Sequence, residues 1–366
     1  MKVLFLGSQN IKECVMNGGM QCSKRNYDLI ASVIDNENLF TAIIWNSKEK
    51  YPRNQYFMRC TNIRESLVSS FRMCRLYSYA EEKKILEYIE QVDPDILFAD
   101  TSILGKILLK VNKRIKKIVF CHNVEKEYAK HRVMNEGWRY IPVFFATKYN
   151  EWLSVKEANK LICLNVRDSK LIEKNYDRKP DFLLPISFMD SFDSSKVYRE
   201  KSDKVLLFIG SNFGPNYDGI KWFINNVMQE LKEYNLIIVG KDFENVKEKL
   251  ERENVTVIGT VQKLDEYYYR YFNIVLPIKY GDGMKVKTAE AMMYGMNIFA
   301  TNEALEGYET DGVCGIYRCN SSNEFIKNIR QHASGDSINK EVRNIYLKNN
   351  CFDNQINIMR EILLDW

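Results

Sequence analysis

Short apolar runs alternate with amphipathic helical stretches twice over along this chain, and no other feature limits its fold as tightly. In the first half the runs fall at residues 2–6, 41–45, 95–99, 117–121, 160–164 and 182–185. In the second they fall at 204–209, 235–239, 255–258, 274–277 and 297–300, with helical periods such as 221–231 and 285–294 between them. Continuous apolar runs suit strands buried on both faces, and strand–helix alternation builds a parallel sheet covered by helices. Two such series predict an α/β protein with two Rossmann-like domains facing a central cleft. The expected bounds are 1–190 and 191–350, with the break in the Ser- and Asp-rich stretch 187–203. Residues 351–366 read as an amphipathic helix free to cross back to the first domain.

Composition removes several classes. With 366 residues, 45% hydrophobic and 28% charged, the chain is neither disordered nor of low complexity. No run approaches the roughly 18 apolar residues of a membrane span. The opening MKVLFLGSQN reads as a first strand rather than a leader, which predicts a cytoplasmic protein. Nine Cys without a C-x-x-C pattern indicate buried thiols rather than disulfides or zinc, and three scattered His suggest no metal centre. The net charge of +5 is uneven: residues 101–150 hold 11 Lys and Arg against three Asp and Glu. Such a patch suits an anionic lipid surface or an anionic substrate. Nucleic acid is not expected as a partner, because the common binding motifs are missing. The stretch 102–117 reads as a basic amphipathic helix able to dock on an anionic membrane, and the Arg- and aromatic-rich stretch 53–75 could border an acceptor.

The chemistry is densest at residues 279–295, KYGDGMKVKTAEAMMYG, directly after an apolar strand. Gly281 and Gly283 let the backbone approach a ligand. A helix starting near Met284 points its positive end at the same place, a combination that binds phosphate. Lys285 and Lys287 add two cations there. They oppose the helix dipole, and a bound diphosphate would offset that cost. Glu290 can accept two hydroxyl hydrogen bonds, as a ribose diol offers. Elsewhere, Asp93-Pro94-Asp95 precedes a strand, the wrong end for a metal–nucleotide site. The first strand has no G-x-G-x-x-G after it, which disfavours a dinucleotide enzyme.

The run GDGMKVKTAEAMMYG, with residues 297–301 and Leu305-Glu306-Gly307, resembles the donor-site signature of retaining GT-B glycosyltransferases of group 1 (family four-like). Residues 205–210, Pro215-Asn216 and Trp222-Phe223 resemble that family's first donor-domain strand and helix. Gly18-Gly19, Arg25-Asn26 and His122-Asn123-Val124-Glu125 resemble N-terminal segments. The resemblance implies an N-terminal acceptor domain, a C-terminal nucleotide-sugar domain and a metal-independent hexosyl transfer with retention. The partners would be a nucleotide-sugar donor and a saccharide or lipid-linked acceptor, in bacterial surface polysaccharide synthesis.

Carried over by residue, Lys285 and Lys287 match the pair on the donor diphosphate, and His122 lies near the transferred sugar. Glu290 matches the second acid of the E-x7-E motif, on the ribose; Asp282 stands where the first is usually Glu. Gly283 and Met284 offer backbone N–H groups to the donor, Gly18 and Gly19 close over the phosphate, and Asn216 gives a neutral hydrogen bond where many members have a cation. Glu125 and Arg25 are acceptor-side candidates. Two alternatives stand beside this: an inactive GT-B-like binding or scaffolding subunit, and a nucleotide-sugar epimerase.

Overall fold

The computed structural model describes residues 1–12, 18–47, 53–197, 204–281, 283–333 and 338–366. The chain divides into two compact units. Unit 1 comprises Met1–Pro185 with Phe352–Trp366, and unit 2 comprises Ile186–Cys351.

Unit 1 holds a parallel sheet of β1 (Val3–Gly7), β2 (Leu39–Ile44), β3 (Asn54–Phe57), β4 (Ile96–Ala99), β5 (Lys116–Cys121), β6 (Lys160–Cys163) and β7 (Phe182–Leu183). Their order is β3-β2-β1-β4-β5-β6-β7. The helices are α1 (Gly18–Val33), α2 (Ile63–Phe71), α3 (Tyr79–Val92), α4 (Gly105–Lys110), α5 (Glu125–Glu136), α6 (Ile141–Glu157) and α7 (Val166–Tyr176). The two-residue period of the strands sends Leu4, Leu6, Ala42, Ile44, Leu97, Ala99, Val119 and Cys121 into one core with Ile85, Ile89, Leu104 and Ile107. Each large apolar side chain so buried contributes about 1.5–3 kcal/mol.

Unit 2 repeats the plan with β8 (Val205–Ile209), β9 (Asn235–Val239), β10 (Val255–Gly259), β11 (Asn273–Leu276), β12 (Asn297–Ala300) and β13 (Ile316–Arg318), ordered β10-β9-β8-β11-β12-β13. Its helices are α8 (Gly214–Phe223), α9 (Lys247–Leu250), α10 (Asp265–Arg270), α11 (Val286–Met293), α12 (Ser322–His332) and α13 (Lys340–Asn349). In both sheets the strand order reverses between the first and fourth strands. The carboxyl ends at that switch are where open α/β sheets hold ligands. The last helix, α14 (Phe352–Leu364), packs on α1 and buries Phe352, Gln355, Met359, Ile362 and Leu363. Its last carbonyls are met by Lys160, whose Nζ donates to Glu361 and Ile362 at 3.1 and 2.9 Å.

Several sequence expectations change. Residues 102–117 do not form one basic helix. They fold as a 3-10 turn at Ser102–Leu104, the short α4, a loop, and the start of β5. The basic side chains there are largely engaged: Lys106 and Lys110 on Glu82, Arg114 on Asp93, and buried Lys117 on Glu157. The described part of the break at 187–203 belongs to unit 2 and is anchored to it at its start, while residues 189–191 and 194–196 are exposed. Ser187 is fully buried, Phe188 bridges to Cys351, and Arg343 holds Asp190. Residues 198–203 lie outside the described residues. The edge strands β3 and β13 are too short and polar to show in the apolar pattern. The helix expected at 221–231 begins earlier, at Gly214 with Pro215 in its first turn, and continues as a π-helical turn over Ile224–Met228.

Candidate functional site

At the carboxyl end of β11 the chain runs from Pro277 through two glycines into α11. Gly281 (φ 145°) and Gly283 (φ 65°) both sit in backbone conformations that favour glycine. Asp282, between them, lies outside the described residues. The helix starts at Val286 rather than near Met284, so Lys285 is its N-cap and Lys287 its second residue. Met284 and Gly283 are buried beside it.

The two lysines meet different surroundings. Lys285 Nζ donates to Glu303 Oε1 at 2.7 Å and to the Gly283 carbonyl at 2.8 Å. The cation at the helix start therefore already faces an anion, so a bound diphosphate is not needed to offset its cost. Lys287 Nζ donates to Asn216 Oδ1, in the first turn of α8, and lies 5.3 Å from the Phe208 ring centroid. Burial lowers its pKa to about 7, helped by the Lys285 charge and opposed by Glu290. Gly210, just past β8, makes room for it: a Cβ there would come within 3.0 Å of both Lys287 Nζ and Asn216 Nδ2.

Glu290, one turn into α11, accepts a 3.0 Å hydrogen bond from the Tyr268 hydroxyl of α10. Burial raises its carboxyl to about 7, against the pull of Tyr268 and Lys287. Tyr268 is held flat against Tyr294, with ring centroids 4.7 Å apart. The helix start is fixed from outside by Thr288 Oγ1 donating to the Ala304 carbonyl (2.6 Å) and Tyr308 donating to the Lys285 carbonyl (2.8 Å). Unit 2 thus brings Asn216, Lys285, Lys287 and Glu290 to the carboxyl ends of β8, β11 and β12. Sequence reasoning missed Glu303 and Tyr268. Glu303 stands three residues past the end of β12, the strand beside β11, and that position was the available signal.

In unit 1 the counterpart cluster lies after β4 and β5. His122 Nε2 is 3.1 Å from Asp100 Oδ2 and 3.0 Å from the Asp100 carbonyl. The Asp100 carboxylate is fully buried and also accepts from Ser23 (2.5 Å) and Asn26 (2.6 Å) of α1. Burial works against charge on His122, but Asp100 and Cys22 hold its pKa well above the usual value. For the Cys22 thiol, burial is outweighed by Arg25 and His122, which bring it below its ordinary pKa. Asp100 and Cys22 were not singled out from sequence. The adjacency of β4 and β5, which places an acid and a His at neighbouring strand ends, is the signal that finds Asp100.

The other N-terminal candidates fall differently. Gly18 and Gly19 open α1, but residues 13–17, which lead into them, lie outside the described residues. Arg25 is buried, its guanidinium donating to the carbonyls of Pro185 (2.9 Å) and Leu184 (3.4 Å). Those contacts tie α1 to the chain after β7 and support a structural task rather than acceptor binding. Glu125 is half-buried at the first residue of α5. Its N–H and that of Lys126 donate to the buried Glu151 carboxylate at 2.7 and 2.9 Å, so Glu151 of α6 anchors the helix start. Asp93 and Asp95 have structural work: Asp93 caps α3 in the left-handed conformation, and Asp95 accepts from the Lys2 N–H at 2.7 Å. Among the described residues no group of three or more His, Cys, Asp or Glu is placed to hold a metal ion, and no helix is long and apolar enough to cross a membrane.

Comparison with known proteins adds three findings. Residues 203–334 match the family model described as glycosyl transferases group 1. A protein of Klebsiella pneumoniae, described as an uncharacterized 41.2 kDa protein in the cps region, is 27% identical over 128 residues. That match spans 34% of this chain and only 34% of the relative's own length. Among solved structures, WaaG, a glycosyltransferase involved in lipopolysaccharide biosynthesis, superposes with a TM-score of 0.70 at 15% identity, over 100% of both chains. Anabaena Alr3699/HepE, solved in complex with UDP and glucose, gives 0.65 at 14% identity, again over 100% of both chains. At such identities the likeness shows the fold, two Rossmann-like domains of the GT-B glycosyltransferase kind.

Proposed function

Since the segment that matches group 1 glycosyl transferases is the one that carries α11 and its two lysines, we propose that the protein transfers a sugar from a nucleotide-diphosphate donor to a saccharide or lipid-linked acceptor. Unit 2 takes the donor. Lys285 and Lys287 neutralise the leaving diphosphate, Asn216 positions Lys287, Glu290 takes the ribose hydroxyls, and the backbone of Gly283 and Met284 faces donor oxygens, with Asp282 assigned to the sugar. Unit 1 takes the acceptor, and its His122, charged through Asp100, donates to a sugar hydroxyl or steadies developing charge. The anomeric configuration is retained.

One observation carries this reading. Lys287 is packed against a neutral amide and an aromatic ring at a sheet's switch point, in the first turn of a helix, beside a second lysine. An ammonium so placed gains much from an incoming anion, because partial burial has reduced its access to water. The two ammonium groups supply charge that a divalent cation would otherwise bring, so transfer proceeds in a chelator. UDP is the first nucleotide to try, because HepE, of the same fold, was solved with it. The likeness to WaaG and to the cps-region protein supports surface polysaccharide as the product.

The test is a calorimetric and thermal-shift screen of nucleoside diphosphates, followed by release or transfer of labelled sugar from the donor that binds. Binding with sugar release supports the reading. Binding without turnover on any acceptor favours a scaffolding subunit, and a changed sugar nucleotide formed without acceptor favours an epimerase.

A further inference from the structure

Helix α6 buries Val143, Ala146, Leu153 and Val155, yet it also divides its polar and aromatic residues in an unusual way. Its buried side carries Thr147, Asn150, Glu151 and Ser154, while Ile141, Phe145, Tyr149 and Trp152 face solvent. Three of these polar residues have clear partners: Asn150 donates to the Ala146 and Met73 carbonyls, Arg75 donates to Thr147, and Glu151 anchors α5. Among the described residues the outward apolar side stays exposed instead. At 100° per residue, the four outward apolar residues fall within about 80° of arc, and Lys148 and Lys156 fall in or next to the same sector. Phe145 is 53% exposed and Trp152 42%. Neighbouring elements add Trp138 (82%) and, on α2, which packs against α6, Phe71 (74%).

Large aromatic side chains seldom stand in water along one stripe without a use. The charge of this stripe selects its occupant. The two acids of α6 are turned away from it: Glu151 is buried, and Glu157 pairs with Lys117. Lys156 Nζ lies 5.2 Å over the Trp152 ring, and Arg139 and Arg132 lie over Tyr140 just before the helix. Trp, Tyr and Phe interleaved with Lys on a surface helix is the composition that lies in the headgroup region of a bilayer.

We propose that the outward face of α6 docks unit 1 on an anionic lipid surface, with Phe145, Tyr149 and Trp152 entering the headgroup boundary and Lys148 and Lys156 meeting lipid phosphates. This moves the membrane contact away from residues 102–117, whose cations are largely engaged within the protein. It deepens the acceptor part of the proposed function and rests on that reading for its purpose, although the docking can be measured without turnover.

The full-length chain is co-sedimented with vesicles of phosphatidylcholine containing phosphatidylglycerol and with phosphatidylcholine alone. Binding is expected to favour the anionic vesicles by about tenfold or more and to weaken with added salt. The double variant Phe145→Ser/Trp152→Ser should lower affinity by about tenfold or more. Lys148→Gln and Lys156→Gln should each lower it about fivefold, on anionic vesicles only. Lys106→Gln should leave binding unchanged. Circular dichroism and UDP titration accompany each variant. Unaltered UDP binding with lost sedimentation supports the face, and lost UDP binding in the wild-type chain would count against the donor reading alone. Sedimentation that survives both double variants, Phe145→Ser/Trp152→Ser and Lys148→Gln/Lys156→Gln, would overturn the proposal. So would a self-associated chain that ignores vesicles and becomes monomeric in Phe145→Ser/Trp152→Ser, because the stripe would then cover a second copy.

Discussion

In unit 1, Asp100 meets His122, Ser23 and Asn26, so a buried charge is answered by an opposite charge and two further donors. In unit 2, Lys287 meets the amide of Asn216 and Glu290 meets the hydroxyl of Tyr268. Both clusters sit at strand carboxyl ends of the same kind of sheet. The first is closed, and burial there is compatible with a charged imidazole. In the second, the hydrogen bonds of Lys287 and Glu290 go to neutral groups, and burial moves both groups to about 7 although each attracts the other along the helix. On the proposed function, the difference separates charge answered within a unit from charge available to a ligand.

The sharpest way to break this comparison is by stability. Asp100→Ala removes the buried carboxylate that His122, Ser23 and Asn26 share and should cost about 3–5 kcal/mol, read by urea unfolding. A loss below about 1 kcal/mol would mean that the unit 1 cluster is not structural. The His122 pKa is raised on folding, so its share of stability is present in full below the unfolded value near 6.5 and is lost as pH rises through the folded one. Asp100→Asn should flatten that dependence.

Lys287→Met gives the contrasting result: no loss of stability, and UDP binding weaker by about 1.5–3 kcal/mol. Stability moves in this direction because the folded pKa of Lys287 is depressed, so its charged form disfavours folding below about 7 and the cost fades as pH rises. A destabilised Lys287→Met with normal nucleotide affinity would turn the unit 2 site into a second structural cluster.

The pH profile sharpens the comparison further. Diphosphate binding needs Lys287 charged, so affinity should fall as pH rises above about 7. Ribose binding favours ionised Glu290, so affinity should also fall as pH drops below about 7. A UDP titration across pH should therefore be bell-shaped in wild type and lose its alkaline limb in Lys287→Arg. The smallest effect is expected of Tyr268→Phe, which removes one donor from Glu290. It should cost about 0.5–1.5 kcal/mol of stability and move the acid limb to higher pH.

The central strands were legible because each is an apolar run buried on both faces, and 235–239 and 297–300 coincide with β9 and β12. Edge strands such as β3, with the polar sequence NQYF, show no such run. The lysines of α11 and Glu290 stood out by spacing along one segment. Glu303 and Asp100 did not, because their partners come from neighbouring strands, and contacts across a sheet leave no mark in local sequence. The basic stretch 102–117 misled for a related reason: helical periodicity over 102–111 ran without a break into the apolar alternation of β5. The exposed aromatics of α6 could not be picked out in advance, because only the fold shows which side of a helix faces solvent.

The central claim is that unit 2 recognises a nucleotide by its diphosphate. It is tested most directly by calorimetric titration of UDP and of uridine, at neutral pH, against the wild-type chain and Lys287→Met. UDP should bind the wild type far more tightly than uridine does, and Lys287→Met should remove about 10- to 150-fold of UDP affinity while leaving uridine unchanged. Equal affinities for UDP and uridine, or a UDP affinity indifferent to Lys287→Met, would contradict it.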